Sequence, residues 1–435
     1  MTYKEARVYL DEMSKYGSVL GLDTIRNLMQ ELGNPQDDLC YVHIAGTNGK
    51  GSVLAYTSTI LSEAGYRTGR YVSPTVVSYL ERIQVDGNWI TEQEFAELTE
   101  MIQKAIVRME TRGLHLPTVF EIETAIAFLH FQKKKCDIVV LETGLGGDQD
   151  ATNIIRNTKV AVFTPISMDH MGFLGNSIDQ IARKKAGIIK EGCSVVSGVQ
   201  EPLVKEILKE KSRSMACPMQ LIEKDRIEIL SEDYTGQCFT YKESADIEIG
   251  LAGVHQAENA ATAYEVIEEL GKQGYRIPKE ALESGFARTR WPGRFTCIHE
   301  KPVFMVDGAH NENAVKRLKE AVEKYFPGKR LLLIMGVFRD KEYEKMAEIM
   351  APLAEVIYTV DLPDENRSLP KEELKKVTSV YCARSYAAES IEAAVEKAYR
   401  EAGSEDVILA FGSLSYMGQM IKSAENWEQR SDCND

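Results

Sequence analysis

The chain has 435 residues, 44% of them hydrophobic and 27% charged, a soluble globular balance. That length exceeds one ordinary core, so two or three domains are expected. Lys and Arg total 52 against 66 Asp and Glu, a formal charge of −14, which argues against a general nucleic-acid or anionic-membrane surface. Any anionic ligand must be gathered by a local cluster of positive charge. The eight cysteines are scattered with no C-x-x-C pair, which reads as reduced cytosolic thiols, not a disulfide frame or a zinc site. The start, "MTYKEARVYLDEMSKYG", is charged and amphipathic, unlike a secretory signal. No apolar run approaches the roughly 18 residues of a membrane span. A cytoplasmic protein is expected.

In chain order, "LCYVHIA" (39–45) reads as a strand that ends in a glycine-rich turn, and "SVLAYTSTILSEAG" (52–65) as the following helix. Val53, Leu54, Thr57, Ile60 and Leu61 make one apolar face of that helix, and Gly65 is a natural stop. Buried strands follow at "DIVVLET" (137–143), "KVAVFTPI" (159–166) and "CSVVSGV" (193–199). Continuous apolar runs separated by helices indicate a parallel sheet covered on both faces. The texture changes over 226–250, where short alternating strands suggest hairpins. "WPGRF" (291–295) then punctuates the chain, and a second strand–helix series begins. Its strands are expected at 302–307, 330–337, 355–360 and 406–412, with helices near 311–325, 341–353 and 388–402. A domain boundary is placed near residue 298, within about four residues, giving domains 1–297 and 298–435. The tail "SAENWEQRSDCND" is expected to fray.

The turn itself, "GTNGKGS" (46–52), is not the usual phosphate loop, which asks for glycine, four residues, then Gly-Lys-Ser or Gly-Lys-Thr. Here the first glycine stands two residues closer, and Gly51 separates Lys50 from Ser52. The physics still holds. A strand feeding a glycine turn into a helix aims backbone N–H groups and the positive helix end at one point. Glycines allow close approach to phosphate oxygens. Lys50 would neutralise β/γ-phosphate charge, and Ser52 or Thr47 would offer an oxygen to Mg²⁺. The bland alternative is an ordinary turn with a solvated lysine.

The altered spacing resembles the nucleotide loop of the folylpolyglutamate synthase and dihydrofolate synthase branch of the Mur ligase superfamily. The likeness extends in order through "YVSPTVVSYLERIQVDG" (71–87), "FE" (120–121), "LETGLGGDQDATN" (141–153), "SMDHMGFLG" (167–175) and "ARKKAGIIKEG" (182–192). It continues through "VHQAENAATA" (254–263), "WPGRF", "VDGAHN" (306–311), "MGVFRDKEY" (335–343) and "FGSLSYMG" (411–418). The resemblance implies an α/β, two-domain architecture: an N-terminal P-loop-type parallel-sheet domain and a C-terminal Rossmann-like domain closing over ATP. Gly46, Thr47, Asn48, Gly49, Lys50, Gly51 and Ser52 would hold the phosphates, with Asn259, Arg294, Asp307 and His310 also contacting ATP. Ser52 would sit near a first Mg²⁺, and Ser73, Glu142 and His170 would hold a second. Taken alone, Glu142 is a loop residue at a strand end, His170 a satisfied polar side chain, and Lys185 a solvated helix lysine. Lys185 matches a family lysine that is carbamylated, and Lys50, His170 and Lys185 are the candidate catalytic groups.

Ser73, Pro74, Arg82, Phe120, Glu121 and Asp150 fall on the folate side. This chain departs from many relatives at Thr75, at Asp148-Gln149 and at Lys184, the first two in segments that bear on substrate preference. The implied reaction is ATP-dependent addition of L-glutamate to the carboxylate of folate or tetrahydrofolate, with dihydropteroate as a further acceptor. An acyl phosphate would be the intermediate. A Mur-type cell-wall ligase and a nucleotide-binding regulatory or kinase-like protein are the alternatives. No sequence feature demands more than a monomer.

Overall fold

The computed structural model describes residues 1–17, 21–168, 171–242, 246–253, 255–293, 295–364 and 366–431. His170 and Arg294 lie outside the described residues. The first sheet has eight strands: β1 (Tyr41–Ala45), β2 (Thr68–Tyr71), β3 (Ile83–Val85), β4 (Asn88–Trp89), β5 (Ile138–Glu142), β6 (Thr158–Phe163), β7 (Ser194–Ser197) and β8 (Met219–Leu221). Their order is β4-β3-β2-β5-β1-β6-β7-β8, parallel throughout except at β3 and β4. The apolar runs are continuous because alternate side chains serve different cores. In β5, Val139 and Leu141 join the layer that includes Phe95, Ile126 and Phe128. Ile138 and Val140 face the opposite layer with Leu54, Ile60, Ala260 and Phe286. That is the doubly covered sheet expected from the sequence.

The helix after β1 spans Lys50–Glu63, two residues earlier than expected at each end. It does not bury a single face. Ser52 through Ser58 are all buried, because the helix is sandwiched between the sheet and helices Gln256–Lys272 and Lys279–Arg288. Its neighbours, absent from any local window of sequence, account for the difference.

The hairpin region forms a three-stranded antiparallel sheet of β9 (Ile227–Glu232), β10 (Gln237–Tyr241) and β11 (Ile247–Ile249). The third sheet contains β12 (Thr296–Glu300), β13 (Val303–Asp307), β14 (Leu331–Met335), β15 (Val356–Thr359), β16 (Ser385–Ala387) and β17 (Val407–Phe411). Its order is β12-β13-β17-β14-β15-β16, with only β12 antiparallel. The connector runs from Arg288 to Thr296, so the expected division at 297/298 falls within β12. The described part of the tail corrects another expectation: residues Met417–Ser431 are helical, and 432–435 lie outside the described residues. Met420 and Ala424 are buried against the third sheet, and the Trp427 ring stacks on Tyr399 at 5.7 Å. The apolar positions 417, 420, 421, 424 and 427 carry that helical spacing. Among the described residues, no helix is long and apolar enough to cross a membrane.

His43 occupies the middle of β1 with no exposed surface. Its Nε2 lies 2.9 Å from Thr152 Oγ1, while the Thr152 hydroxyl donates to Asp150 Oδ1 at 2.5 Å. Thr152 therefore accepts from His43, which fixes the neutral Nε2–H tautomer. Burial pushes the His43 pKa down to about 3. The native state then resists a proton that the unfolded chain takes up near pH 6.5. Its stabilising contribution is complete above that value and is lost as pH falls towards 3. Denaturation midpoints measured from pH 7 to pH 4 are expected to fall in the wild type, with a shallower slope in His43→Gln.

Candidate active site

Three adjacent parallel strands end together and build the site. Register pairs Ile44 with Glu142 and Tyr71 with Leu141. The glycine loop, Ser73 and Glu142 consequently emerge at one carboxyl edge, where ligands of open α/β sheets bind. The loop is braced from the next strand: Thr47 and Asn48 donate N–H groups to the Pro165 carbonyl at 3.0 and 3.3 Å. The Thr47 hydroxyl donates to the Ser167 carbonyl at 3.1 Å and accepts its N–H at 3.0 Å. Thr47 is therefore a brace of the loop.

Two lysines converge on a single carbonyl. Lys185, on helix Ile178–Ala186 and only 5% exposed, donates from Nζ to Gly46 O at 2.8 Å. Lys50 Nζ reaches the same oxygen at 3.3 Å and Thr47 O at 3.5 Å, with Glu142 Oε1 at 3.7 Å. The surface-lysine reading of Lys185 is overturned by this burial. Among the described residues, no three His, Cys, Asp or Glu side chains cluster closely enough to hold a metal. Glu142, Ser52 and Ser73 nevertheless offer oxygen donors of the kind that suit Mg²⁺.

A cleft on the other side of the loop joins both main sheets. Asn48, Gly49 and Ser52 form one wall, Gly253, His255 and Gln256 the floor, and Phe295, Asp307, Ala314, Arg317 and Leu318 the opposite wall. Asn259 and Gln256 are almost fully buried. The Asn259 amide donates to Gln256 Oε1 at 3.1 Å, and Gln256 Nε2 donates to Ser52 Oγ at 3.3 Å. Gln256 thus orients the loop hydroxyl from across the cleft. Asp307 accepts from Phe295 N at 2.7 Å and Ala309 N at 2.8 Å, and His310 Nδ1 lies 2.8 Å from Gly308 O. His255, Gln256, Phe295 and Arg317 were missed by the sequence reading. The first three lie in or beside the quoted "VHQAENAATA" and "WPGRF" blocks, whereas Arg317 carries no local signal.

The folate-side residues also assemble. Ser73, Phe120, Glu121 and Asp150 line one cavity of about 490 Å³. Two of its acids are committed to structure. Glu121 accepts from Thr118 N and Oγ1 at 2.7 and 2.9 Å, capping its own helix. Asp150 accepts from Leu145 N at 2.7 Å and Thr152 N at 3.0 Å, bracing its loop. Burial raises both pKa values. Arg82 stands behind the cavity, paired with buried Glu123, which lines it and also accepts from the Tyr79 hydroxyl. Pro74 follows Ser73 through a cis peptide bond.

A phosphate loop facing a second α/β sheet across a shared cleft defines an ATP-dependent ligase of the Mur type. The Mur ligase middle domain matches residues 44–267, and the Mur ligase glutamate ligase domain matches 293–414. The dihydrofolate synthase/folylpolyglutamate synthase of Bacillus subtilis is 34% identical, over 97% of this chain and 98% of that protein. The crystal structure of folylpolyglutamate synthase from Thermotoga maritima superposes with a TM-score of 0.87 at 29% identity, covering 98% and 97% of the two chains. E. coli FolC in complex with DHPP and ADP gives 0.83 at 27%, covering 97% and 98%. The chain belongs to the Mur ligase family, in its folylpolyglutamate synthase/dihydrofolate synthase branch.

Gly49 tests how closely the loop and Asn259 are fitted. Its φ of +89° is left-handed, and an added Cβ would lie 2.5 Å from Asn259 Oδ1. Gly49→Ala is expected to cost about 1–3 kcal/mol, part conformational and part steric. Urea denaturation of Gly49→Ala, Asn259→Ala and the double variant checks this: the double variant should recover the steric part.

Proposed function

We propose that this enzyme adds L-glutamate to the terminal carboxylate of a reduced folate, with dihydropteroate as a second acceptor, and works as a cytoplasmic monomer. The observation that carries the reading is the convergence of Lys50, Lys185 and Glu142 at the phosphate loop, one wall of a cleft completed by the other sheet. An amide does not form from carboxylate and amine in water without activation. A folate carboxylate oxygen attacks the γ-phosphorus of ATP, the bond to ADP breaks, and an acyl phosphate forms. The unprotonated α-amine of glutamate then attacks the acyl carbon, and phosphate leaves.

The obstacle is repulsion between a carboxylate and a triphosphate. Among the described residues, Lys50 is tethered to neutral carbonyls and, at longer range, to Glu142, so its flexible stem can turn to the phosphates. The loop amides and the start of helix Lys50–Glu63 add fixed positive potential. Ser52 would hold one Mg²⁺ and Ser73, Glu142 and His170 would hold a second, and these ions would supply further charge neutralisation. Asn259, Asp307, His310 and Arg294 are assigned to ATP, with Gln256 positioning Ser52. Ser73, Pro74, Arg82, Phe120, Glu121 and Asp150 are assigned to the folate side, Arg82 acting through Glu123. We divide the chain functionally into 1–297 and 298–435, within about four residues, a margin that reaches the connector ahead of β12.

Lys185 is proposed to carry a carbamate. Its ammonium group would lose one proton, and the amine would then attack CO₂ and release a second, turning a buried cation beside Lys50 into an anion able to pair with Lys50 or a metal. With carbon-13-labelled bicarbonate, the wild type should give a carbamate carbon signal that is absent from Lys185→Arg. Equal spectra would remove the modification from the mechanism.

ADP release with ATP, Mg²⁺ and L-glutamate, supplying tetrahydrofolate or dihydropteroate in turn, tests the reaction itself. Release is expected only when acceptor and glutamate are both present. Glutamate-independent release would point to the kinase-like alternative. Lys50→Ala should lower turnover at least about 100-fold, the scale of one lost transition-state charge contact, while circular dichroism stays unchanged.

A further inference from the structure

A cavity of about 310 Å³ opens on the face of the first sheet opposite the folate-side cavity. Alternation along β2 separates the two. Tyr71 packs beside Phe120, while Arg70 turns towards helix Lys50–Glu63. The cavity is lined by Arg70, Arg288 and Arg290, by the indoles of Trp89 and Trp291, and by Glu81. Its charges do not cancel. Glu81 is committed to the N–H groups of Val76, Val77 and Ser78. Arg288 pairs with Glu63 at 3.2 Å. Arg290 donates to the Ala287 and Thr289 carbonyls, capping the preceding helix.

Among the described residues, the acceptors of Arg70 are neutral: Ser58 Oγ at 2.8 Å, Thr59 Oγ1 at 3.2 Å and Gln84 Oε1 at 3.5 Å. Among the described residues, no carboxylate lies within ion-pair distance of Arg70 or Arg290. Burial lowers the Arg70 pKa to about 10 with no opposing charge, and a guanidinium stays protonated there. In a chain of net −14, a partly enclosed cation left without an acid is a binding feature. Trp89, 43% exposed, adds a large apolar surface beside it.

We propose that this cavity binds the carboxylate of a small organic acid, with Arg70 and Arg290 as the cationic contacts and the two indoles as the flat apolar wall. Planar guanidinium groups match carboxylate geometry. Two carboxylate sources belong to the reaction above, on whose reading this choice of ligand rests: free L-glutamate and the γ-glutamyl chain of the product. The position couples the occupant to the active site. Val72 lines this cavity, and the next residue, Ser73, lines the folate-side one. Trp291 also lies against Gly51, where an added Cβ would come within 2.7 Å of the indole.

The test is calorimetric titration of the full chain, without ATP or folate, using glutarate, L-glutamate and tri-γ-glutamate. Saturable binding of at least one is expected, with affinity lower by about 10-fold or more in Arg70→Gln, the scale of one charge-assisted contact. Thr59→Asp supplies Arg70 with an internal carboxylate. It should also weaken binding about 10-fold, with a denaturation midpoint at or above that of the wild type, which separates blocking from misfolding. Tighter binding of tri-γ-glutamate assigns the site to the product chain; equal or tighter binding of L-glutamate assigns it to the amino acid. No saturable binding of any probe, or affinities unchanged in both variants, overturns the proposal. Normal glutamate-dependent ADP release in that same protein would leave the ligase reading standing and defeat this inference alone.

Discussion

Two ammonium groups share the carbonyl oxygen of Gly46, and the arrangement of the site follows from that crowding. Like charges so close repel, and the deep one, Lys185, has lost most of its water. Glu142 beside Lys50 offsets part of this, and the loop amides and the start of helix Lys50–Glu63 make the place a focus for an anion. The parallel sheet makes the focus possible by bringing β1, β2 and β5 to one edge, while helix Ile178–Ala186 carries Lys185 in from the side. Elsewhere the chain is acidic, so the attraction is local.

The strands and their order of use were legible because continuous apolar runs such as 138–142 leave few other fates for the chain. The glycine loop was legible because its backbone demands are written in residue identity: Gly49 adopts a left-handed conformation that most side chains resist. Partnership across the molecule was not legible. Helix Lys50–Glu63 showed one apolar face by spacing, yet it is enclosed by elements more than 190 residues away in sequence. Taken alone, Lys185 read as a solvated helix lysine for the same reason, and Thr47 as an alternative to Ser52 for offering an oxygen to Mg²⁺. The tail was misread from its polar composition, although 417, 420, 421, 424 and 427 fall on one helical stripe. Gln256 shows what the family blocks conceal: its sequence neighbour Asn259 attracts notice, while Gln256 makes the hydrogen bond to Ser52.

The folate-side cavity teaches a related lesson about acids. Glu121 and Asp150 look like ligand-binding groups, but their oxygens cap a helix and brace a loop. Their contribution to binding is the shape and rigidity they give the wall, together with whatever lone pairs remain. His43 extends that rigidity to the loop strand, since its ring holds Thr152, which holds Asp150. The phosphate loop and the acceptor cavity are therefore fastened to one another through the interior of the sheet.

The placement of Trp291 has a mechanical consequence. The seven-residue connector that leads into the third sheet carries an indole seated on the first turn of the phosphate-loop helix. Any swing of the glutamate-ligase half relative to the nucleotide half must drag that ring across the helix or pivot about it. Opening and closing would then share one fulcrum, set against Gly51 of the phosphate loop, and small rotations there become large displacements at the far rim.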